Sequence, residues 1–309
     1  MRAVVCTRYG PPEVLQLRDV PKPTPRSSEV CIKIFATSVT ASDCIVRAFN
    51  IPRRLKLPMG AVLGFRRPRN PILGLVLAGE VESVGRDATK FKPGDQVYAF
   101  TAFRFGAYAE YECLPETAIV ALKPSNASHE EAAAIPYGGL LALHFLKQAD
   151  IESRRRVLVY GASGAIGTSA VQLAKHFGAD VTGVCSAANL ELVRSLGADA
   201  VIDYTKDDFT RNGARYDLVF NAVGKRKAML QADGSLTPGG RHITVDDNSP
   251  KMRAEDLAFL TELVESGRLR PVIDKSYPLE QIVEAHRYVD AGHKKGNVVV
   301  RVSAEGAGS

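Results

Sequence analysis

The run Arg156-Val-Leu-Val-Tyr-Gly-Ala-Ser-Gly-Ala-Ile-Gly167 sets the architecture of this chain. Val157 to Tyr160 is a short apolar, β-branched segment, the composition of a buried parallel strand. A glycine-rich turn follows. Ile166, Ala170, Leu173, Ala174 and Phe177 then recur at spacings of three and four, which predicts a helix stopped by Gly178. Asp180-Val-Thr-Gly-Val-Cys185 reads as a second strand. Strand, turn, helix and strand within about 30 residues make one βαβ unit.

Such a turn is a phosphate cradle. Small residues let its backbone approach a pyrophosphate, and the helix start offers unpaired N–H groups and a positive dipole end. The fingerprint G-x-G-x-x-G begins here with Ala162 and continues with Gly164 and Gly167. A tight strand–helix packing turn without a ligand is the bland alternative. An NAD site places an acid ~20 residues after the glycines, on the ribose 2′-hydroxyl. This chain has Cys185-Ser-Ala-Ala-Asn189 there. No carboxylate repels a 2′-phosphate, and Ser186 and Asn189 can donate to one, which favours NADP(H). Ser186 also reads as the N-cap of a helix over 189–196.

At 309 residues the chain has room for two domains. It contains no apolar run of ~18 residues, hence no membrane-spanning helix. The N-terminus is strand-like and has neither a signal peptide's apolar core nor a transit peptide, so a cytoplasmic location is expected. Five cysteines (Cys6, Cys31, Cys44, Cys113, Cys185) are scattered and without C-x-x-C, which argues against a disulfide framework or a zinc lobe and for a reducing compartment. Net charge is +6. The segment 51–70 holds Arg53, Arg54, Lys56, Arg66, Arg67 and Arg69 and no acid. It reads as a solvated basic loop, with anion steering as the alternative. Phe65 is its one aromatic, which argues against a nucleic-acid site.

Residues 1–35 read as short strands punctuated by Pro and Gly. Residues 38–48 read as a short helix or turn, and 49–72 as a loop. Residues 72–85 suggest a glycine-punctuated strand pair, and 106–113 an alternating strand. Ser128-His-Glu-Glu131 opens like a capping box, Pro136-Tyr-Gly-Gly-Leu140 interrupts, and 141–148 continues as helix. After the βαβ unit, strands are expected at 200–203, 217–223, 239–245 and 297–302, and helices at 255–266 and 279–289.

Together these stretches resemble the medium-chain dehydrogenase/reductase superfamily, in its zinc-independent, quinone-oxidoreductase-like and alkenal-reductase-like branch. The carriers are Met-Arg-Ala-Val-Val at the start, Ile72-Leu-Gly-Leu-Val-Leu-Ala-Gly-Glu-Val81, Phe91-Lys-Pro-Gly-Asp-Gln-Val97, Gly106-Ala-Tyr-Ala-Glu-Tyr111, residues 161–167, Val193-Arg-Ser-Leu-Gly-Ala-Asp199 and Gly292-His-Lys-Lys-Gly-Asn-Val298. The resemblance implies an α/β fold: a GroES-like β domain over 1–122, a Rossmann NADP-binding domain with a doubly wound parallel sheet over 123–268, and a C-terminal return to the first domain over 269–309. It implies an active site between the two domains. In zinc-dependent relatives a Cys and a His-Glu pair bind the metal; here those positions read Thr40, Leu75 and Val76, so no metal is expected.

The implied activity is hydride transfer from NADPH to a quinone or an α,β-unsaturated carbonyl. Gly164, Ala165, Ile166 and Gly167 would touch the pyrophosphate, Ser186 and Asn189 the 2′-phosphate, Tyr204 the adenine, and Val223 and Gly224 the nicotinamide ribose. Asn297 would lie near the nicotinamide. Tyr204 also reads as an aromatic packed on the sheet. The substrate side is thinner. Thr40 stands where relatives often carry Asn, and Leu141 and Ile45 replace polar residues, leaving Thr40, Asp43 and Tyr137 as catalytic candidates, with Tyr137 as the proton donor. After Val245 only 246–253 intervenes where relatives have a helix, a sixth strand and a loop. The sheet is therefore expected to be one strand short. Relatives dimerise through that strand, so a monomer is favoured. An NADPH-binding protein with little catalysis, acting as a redox sensor, structural or RNA-binding protein, is the competing function.

Overall fold

A computed structural model gives the fold and describes residues 1–153, 155–211, 213–224, 232–247 and 250–303. Its elements in chain order begin with β1 (Arg2–Cys6), β2 (Leu15–Asp19), β3 (Glu29–Val39), α1 (Ala41–Ala48), α2 (Lys56–Leu63), β4 (Val76–Val84), β5 (Gln96–Phe100), β6 (Tyr111–Pro115), β7 (Ile119–Leu122) and α3 (His129–Ala133). They continue with α4 (Pro136–Gln148), β8 (Arg156–Tyr160), α5 (Ala165–His176), β9 (Asp180–Cys185), α6 (Leu190–Ser195), β10 (Ala200–Asp203), β11 (Tyr216–Asn221) and β12 (Leu236–Thr244). The last are α7 (Ala254–Glu265), β13 (Ile273–Pro278), α8 (Ile282–Asp290) and β14 (Asn297–Arg301).

Two compact units emerge. One comprises Met1–Pro136, Arg253–Thr261 and Ile273–Ser309, the other Tyr137–Met252 and Glu262–Val272. These divisions fall elsewhere than the expected boundaries at 122/123 and 268/269. The first unit keeps α3 and takes the N-terminal part of α7.

The first unit is a seven-stranded sheet in which β13-β14-β3-β4-β5-β7 are successive neighbours and β6 pairs with β3. Strand β3 is its spine. It pairs antiparallel with β4 along its length, with β6 at its first half and with β14 at its second. The β14 pairing is the C-terminal return. The family-like stretch 72–85 forms one strand rather than two. Gly79 marks no turn: a Cβ there would lie 2.0 Å from the Lys33 carbonyl oxygen, so the glycine permits backbone contact. The expected strand at 106–113 shrinks to β6, and β7 and β13 went unread. The segment 49–72 contains α2, so the loop expectation fails there. Pro58 sits in its first turn, where a proline's missing N–H costs nothing.

The second unit is a five-stranded parallel sheet among the described residues, ordered β10-β9-β8-β11-β12. Val157, Leu158 and Val159 of β8 are fully buried, as a central strand covered on both faces demands. Leu158 joins Val184, Tyr216 and Val219 in one core cluster. Helix α5 is buried from Ala165 to Ala174 and ends before Gly178, whose φ is +82°. Pro136 does not interrupt a helix. It begins α4, where its fixed φ suits the first helical position. The sheet ends at β12, and 245–247 form a turn with no further strand among the described residues. This is the five-stranded Rossmann-like sheet that the short 246–253 segment predicts.

Candidate functional site

The strand order reverses direction at β8 and β11, and their C-terminal ends form the crevice where such sheets bind ligands. At the β8 end, Gly161 takes φ +79°, and the amides of Gly161 and Ala162 both donate to the Val184 carbonyl at 3.0 Å. Gly164 is the N-cap of α5 with φ −81°. The two glycines of the fingerprint do different work. A Cβ on Gly167 would lie 2.1 Å from the Gly161 carbonyl oxygen and 2.8 Å from Ala162 Cα, so Gly167 allows helix to pack on turn. A Cβ on Gly164 would meet nothing closer than 3.5 Å. Its bareness leaves the turn open to a ligand instead. The first turn of α5 has no side-chain cap and no acidic residue. The amides of Ala165, Ile166 and Gly167 therefore begin the helix with their hydrogen-bonding capacity free for an anion.

At the β9 end, three polar side chains meet. Asn189 Nδ2 donates to Ser163 Oγ at 3.1 Å and to Ser186 Oγ at 3.2 Å. Asn189 is buried, yet its Oδ1 has no partner. The Ser163 and Ser186 hydroxyls accept from the Asn189 amide and keep their own protons to donate, which suits an oxyanion ligand. Ser186 precedes a short 3-10 turn, Ala187–Asn189, and its side chain makes no capping bond, contrary to the helix-cap reading. Ser163 was not read from the sequence as a participant. Its only signal was its place inside the glycine turn. Asp203 faces Cys185 in register, but its Oδ1 is engaged by the Thr205 hydroxyl at 2.7 Å and the Thr205 amide at 3.1 Å. The Thr205 hydroxyl holds this carboxyl below the usual range. Tyr204 is 53% exposed, with its ring 6.2 Å from that of Tyr160, and its amide donates to Cys185 O. It is not packed away in the core.

At the β11 end, Asn221 is the second residue that sequence reading missed. It is fully buried, and its Oδ1 accepts from the amides of Val223 at 3.0 Å and Gly224 at 3.2 Å. This shapes the turn Asn221-Ala-Val-Gly224. Val223 Cγ2 lies 2.4 Å from where a Gly161 Cβ would stand, so the β8 and β11 turns touch. Gly224 has φ +89° and carries the Asp246 carboxylate 2.6 Å from its own missing Cβ.

The remaining candidates disperse. Thr40 and Asp43 form a reciprocal capping box on α1: Thr40 Oγ1 and N donate to Asp43 Oδ2 at 2.6 and 2.9 Å, and Asp43 N donates to Thr40 Oγ1 at 3.1 Å. Both are buried, and burial pushes the Asp43 carboxyl up to about 6 against the pull of Thr40. The Tyr108 phenol stands beside it and is itself raised well above the ordinary tyrosine value, first by burial and then by the Asp43 charge. Beyond lies His286, fully buried on α8, with Arg47 Nη1 at 3.3 Å and Cys44 Sγ at 3.4 Å from its Nδ1. Tyr137 is the second residue of α4 and is buried. Asn297 opens β14 in the first unit, also buried. The structure thus gathers Gly164, Ala165, Ile166, Gly167, Ser186, Asn189, Tyr204, Val223 and Gly224 at the C-terminal end of one sheet. Thr40, Asp43 and Asn297 belong to the other unit.

Comparison with known proteins agrees with this architecture. Residues 26–124 match the alcohol dehydrogenase GroES-like domain, and residues 165–262 and 244–300 match two families described as zinc-binding dehydrogenase. A 2-methylene-furan-3-one reductase of Solanum lycopersicum is 34% identical over 97% of this chain and 79% of its own length. A chloroplastic NADPH-dependent alkenal/one oxidoreductase of Arabidopsis thaliana is 31% identical over the same shares, 97% and 79%. The solved quinone oxidoreductase from Coxiella burnetii superposes with a TM-score of 0.85 at 28% identity, covering 98% of this chain and 99% of that one. The chain belongs to the medium-chain dehydrogenase/reductase superfamily, in its quinone and alkenal oxidoreductase branch, and is by that membership an oxidoreductase. Although two of these family descriptions mention zinc, the residues do not fit it. The Thr40 hydroxyl is committed to its cap, and Leu75 and Val76 are buried aliphatics without a donor atom. No cluster of three or more His, Cys, Asp or Glu that could hold a metal occurs among the described residues.

Proposed function

We propose that this protein is an NADPH-dependent, zinc-independent reductase of quinones or α,β-unsaturated carbonyls. The observation that carries the cofactor is the meeting of Ser163, Ser186 and Asn189 at the β9 end, where both hydroxyls accept from Asn189 and keep a proton to donate, while Thr205 holds Asp203 Oδ1. These side chains hold the 2′-phosphate. The α5 amides and the bare Gly164 hold the pyrophosphate, the exposed Tyr204 ring flanks the adenine, and the Val223–Gly224 turn supports the nicotinamide ribose. When bound, the cofactor supplies the hydride. The protein contributes orientation. The acceptor class follows from the relatives, which are named as alkenal/one and quinone oxidoreductases. The free cysteines fit a reducing compartment such as the cytoplasm.

A second reading, cofactor binding with little turnover, draws on the closure of Thr40 and Asp43 upon each other. One assay separates the two. Protein is mixed with NADPH and a panel of quinones and enals, and loss of reduced-nicotinamide absorbance is followed. Turnover with at least one acceptor supports the reductase; tight NADPH binding with no consumption across the panel overturns it. Ser186→Asp tests the cofactor separately. A carboxylate beside the 2′-phosphate should weaken NADPH by at least ~10-fold while sparing NADH, and equal losses for both would remove the 2′-phosphate assignment.

A further inference from the structure

We infer that Cys31 and Cys113 are a dithiol site that closes to an intramolecular disulfide when a low-molecular-weight disulfide is present. The two cysteines are far apart in sequence but directly opposite on β3 and β6. The flanking hydrogen bonds fix the kind of rung they occupy. Ile34 N donates to Glu110 O at 2.8 Å, and Glu116 N donates to Ser28 O at 3.1 Å. Antiparallel rungs alternate between bonded and non-bonded, so 28–116 and 34–110 as bonded rungs make 31–113 a non-bonded one. Opposite Cα atoms in such rungs lie ~4.5 Å apart with side chains on one face. That separation lies inside the ~4.4–6.8 Å that a disulfide spans without moving the backbone. The two thiols perturb each other, Cys31 being lowered and Cys113 raised by their mutual interaction.

The surroundings divide the labour. Cys31 is fully buried, while Cys113 is only partly so. Ser83 pairs with Cys31 from the other side, on β4. Glu82 Oε2 lies 4.0 Å from Cys31 Sγ, and Lys22 holds Glu82 at 2.5 Å, offsetting its charge. The Cys113 S–H donating to Cys31 sets the Cys31 thiol below the ordinary thiol value. The pair thus shares one proton once the first has left.

Exchange proceeds in two balanced steps. Cys113, the more accessible of the two, passes its proton to Cys31, and its thiolate attacks one sulfur of a small disulfide RSSR, forming a Cys113–SR bond and releasing RS⁻, which takes up the proton the pair has lost. Cys31 then attacks the Cys113 sulfur and expels the second RS⁻, protonated by the Cys31 proton. Two protein thiols are oxidised by two electrons, and RSSR is reduced to two RSH. In a reducing compartment the pair stays open and closes only as small disulfides accumulate. Cys6, Cys44 and Cys185 are buried and face no cysteine in register.

The test uses the whole chain, fully reduced, freed of reductant and incubated with oxidised glutathione. Thiols counted after denaturation should fall from five to the three that have no partner. Peptide mapping should recover a Cys31–Cys113 cross-link that disappears on reduction. Cys31→Ser should stop at glutathione attached to Cys113, and Cys113→Ser should take up none. Five thiols remaining in the folded wild type, stable glutathione on Cys113, or a cross-link through any other cysteine would each overturn the proposal. Wild-type mapping decides the matter even if a variant fails to fold.

Discussion

Gly167→Ala and Gly164→Ala differ by one methyl group each, three residues apart, yet the structure sets them far apart in effect. A Cβ at 167 would sit 2.1 Å from the Gly161 carbonyl oxygen and 2.8 Å from Ala162 Cα. Both obstacles are backbone, and the first is more than an ångström inside ordinary contact. Relief requires α5 to slide off the turn, or the turn to leave the Val184 carbonyl that both its amides bond. Overpacking of this kind costs about 3 kcal/mol. In a protein of this size that is a fall in Tm of roughly 6–12 °C. At 164 the nearest atom is 3.5 Å away and φ is −81°, which alanine adopts freely. The loss there is confined to the helix cap and stays below ~1 kcal/mol. Thermal unfolding of the cofactor-free protein reads both. The ligand effects should run the other way round: Gly164→Ala keeps Tm but weakens NADPH, because its methyl points into the open turn. Equal Tm values for Gly167→Ala and wild type would refute the packing role, and unchanged NADPH affinity in Gly164→Ala would refute the cradle.

Asn221→Leu strands the Val223 and Gly224 amides, which should cost ~1–3 kcal/mol and lower cofactor affinity; calorimetric titration with unaltered binding would show that the turn holds without it. Burial pushes the His286 pKa down to about 3, with Arg47 adding to the shift, while the imidazole titrates near its ordinary value in the unfolded chain, so the unfolded chain binds the extra proton and stability falls as pH drops through that window. Asp43 is raised from 3.8 to about 6, so the folded chain binds the extra proton, and stability grows as pH drops through its window. The two slopes, each ~1.4 kcal/mol per pH unit, oppose one another between about pH 4 and 6. Denaturant midpoints should therefore show His286→Phe gaining stability on acidification relative to wild type and Asp43→Asn losing it; parallel curves for all three proteins would sink this account. Light scattering should report a monomer, and a dimer joined edge to edge through β12 would contradict it.

What could be read in the sequence was what lies close together along it. The strand, turn and helix over 156–176 form from neighbours, and their glycines announce the backbone approach they permit. The contact of Asn189 with both Ser163 and Ser186 depends on β9 lying beside β8, a parallel contact made across a helix, so its place in the glycine turn was the one sign Ser163 carried. Asn221 was hidden for a different reason. An asparagine at a strand end is ordinary until its oxygen is seen to take two amides. Thr40 and Asp43 carried a local signal beside the family one. Their T-x-x-D spacing is that of a capping box, but a family position drew them toward catalysis, and geometry commits them to α1. Helix α2 was obscured by Pro58 and by the arginines before and after it, which look like a loop until one sees Pro58 placed in a first turn. Cys31 and Cys113, scattered in sequence, become neighbours only through the β3–β6 register.

The shortened segment after β12 bears on how complete the second unit is. A sheet that had merely lost its outer strand would expose a regular edge to any other strand. Strand β12 does not. Its pairing with β11 jumps from Leu236 to Arg241, and the residues passed over include Pro238, Gly239 at φ +77° and Gly240. Pro238 has no amide to offer, and the bulge breaks the row of donors that a neighbouring strand would need. The base of the bulge is pinned, since Thr237 Oγ1 donates to Asp217 Oδ1 at 2.8 Å while Asp217 Oδ2 accepts from the Arg155 and Arg156 amides. At the far end, Asp247 Oδ2 accepts from Thr244 N at 2.8 Å, and Asp246 closes over Gly224. The short connection is thus tied to the same β11 turn that Asn221 shapes. That is how the five strands among the described residues end in a closed edge that supports the β8–β11 crevice.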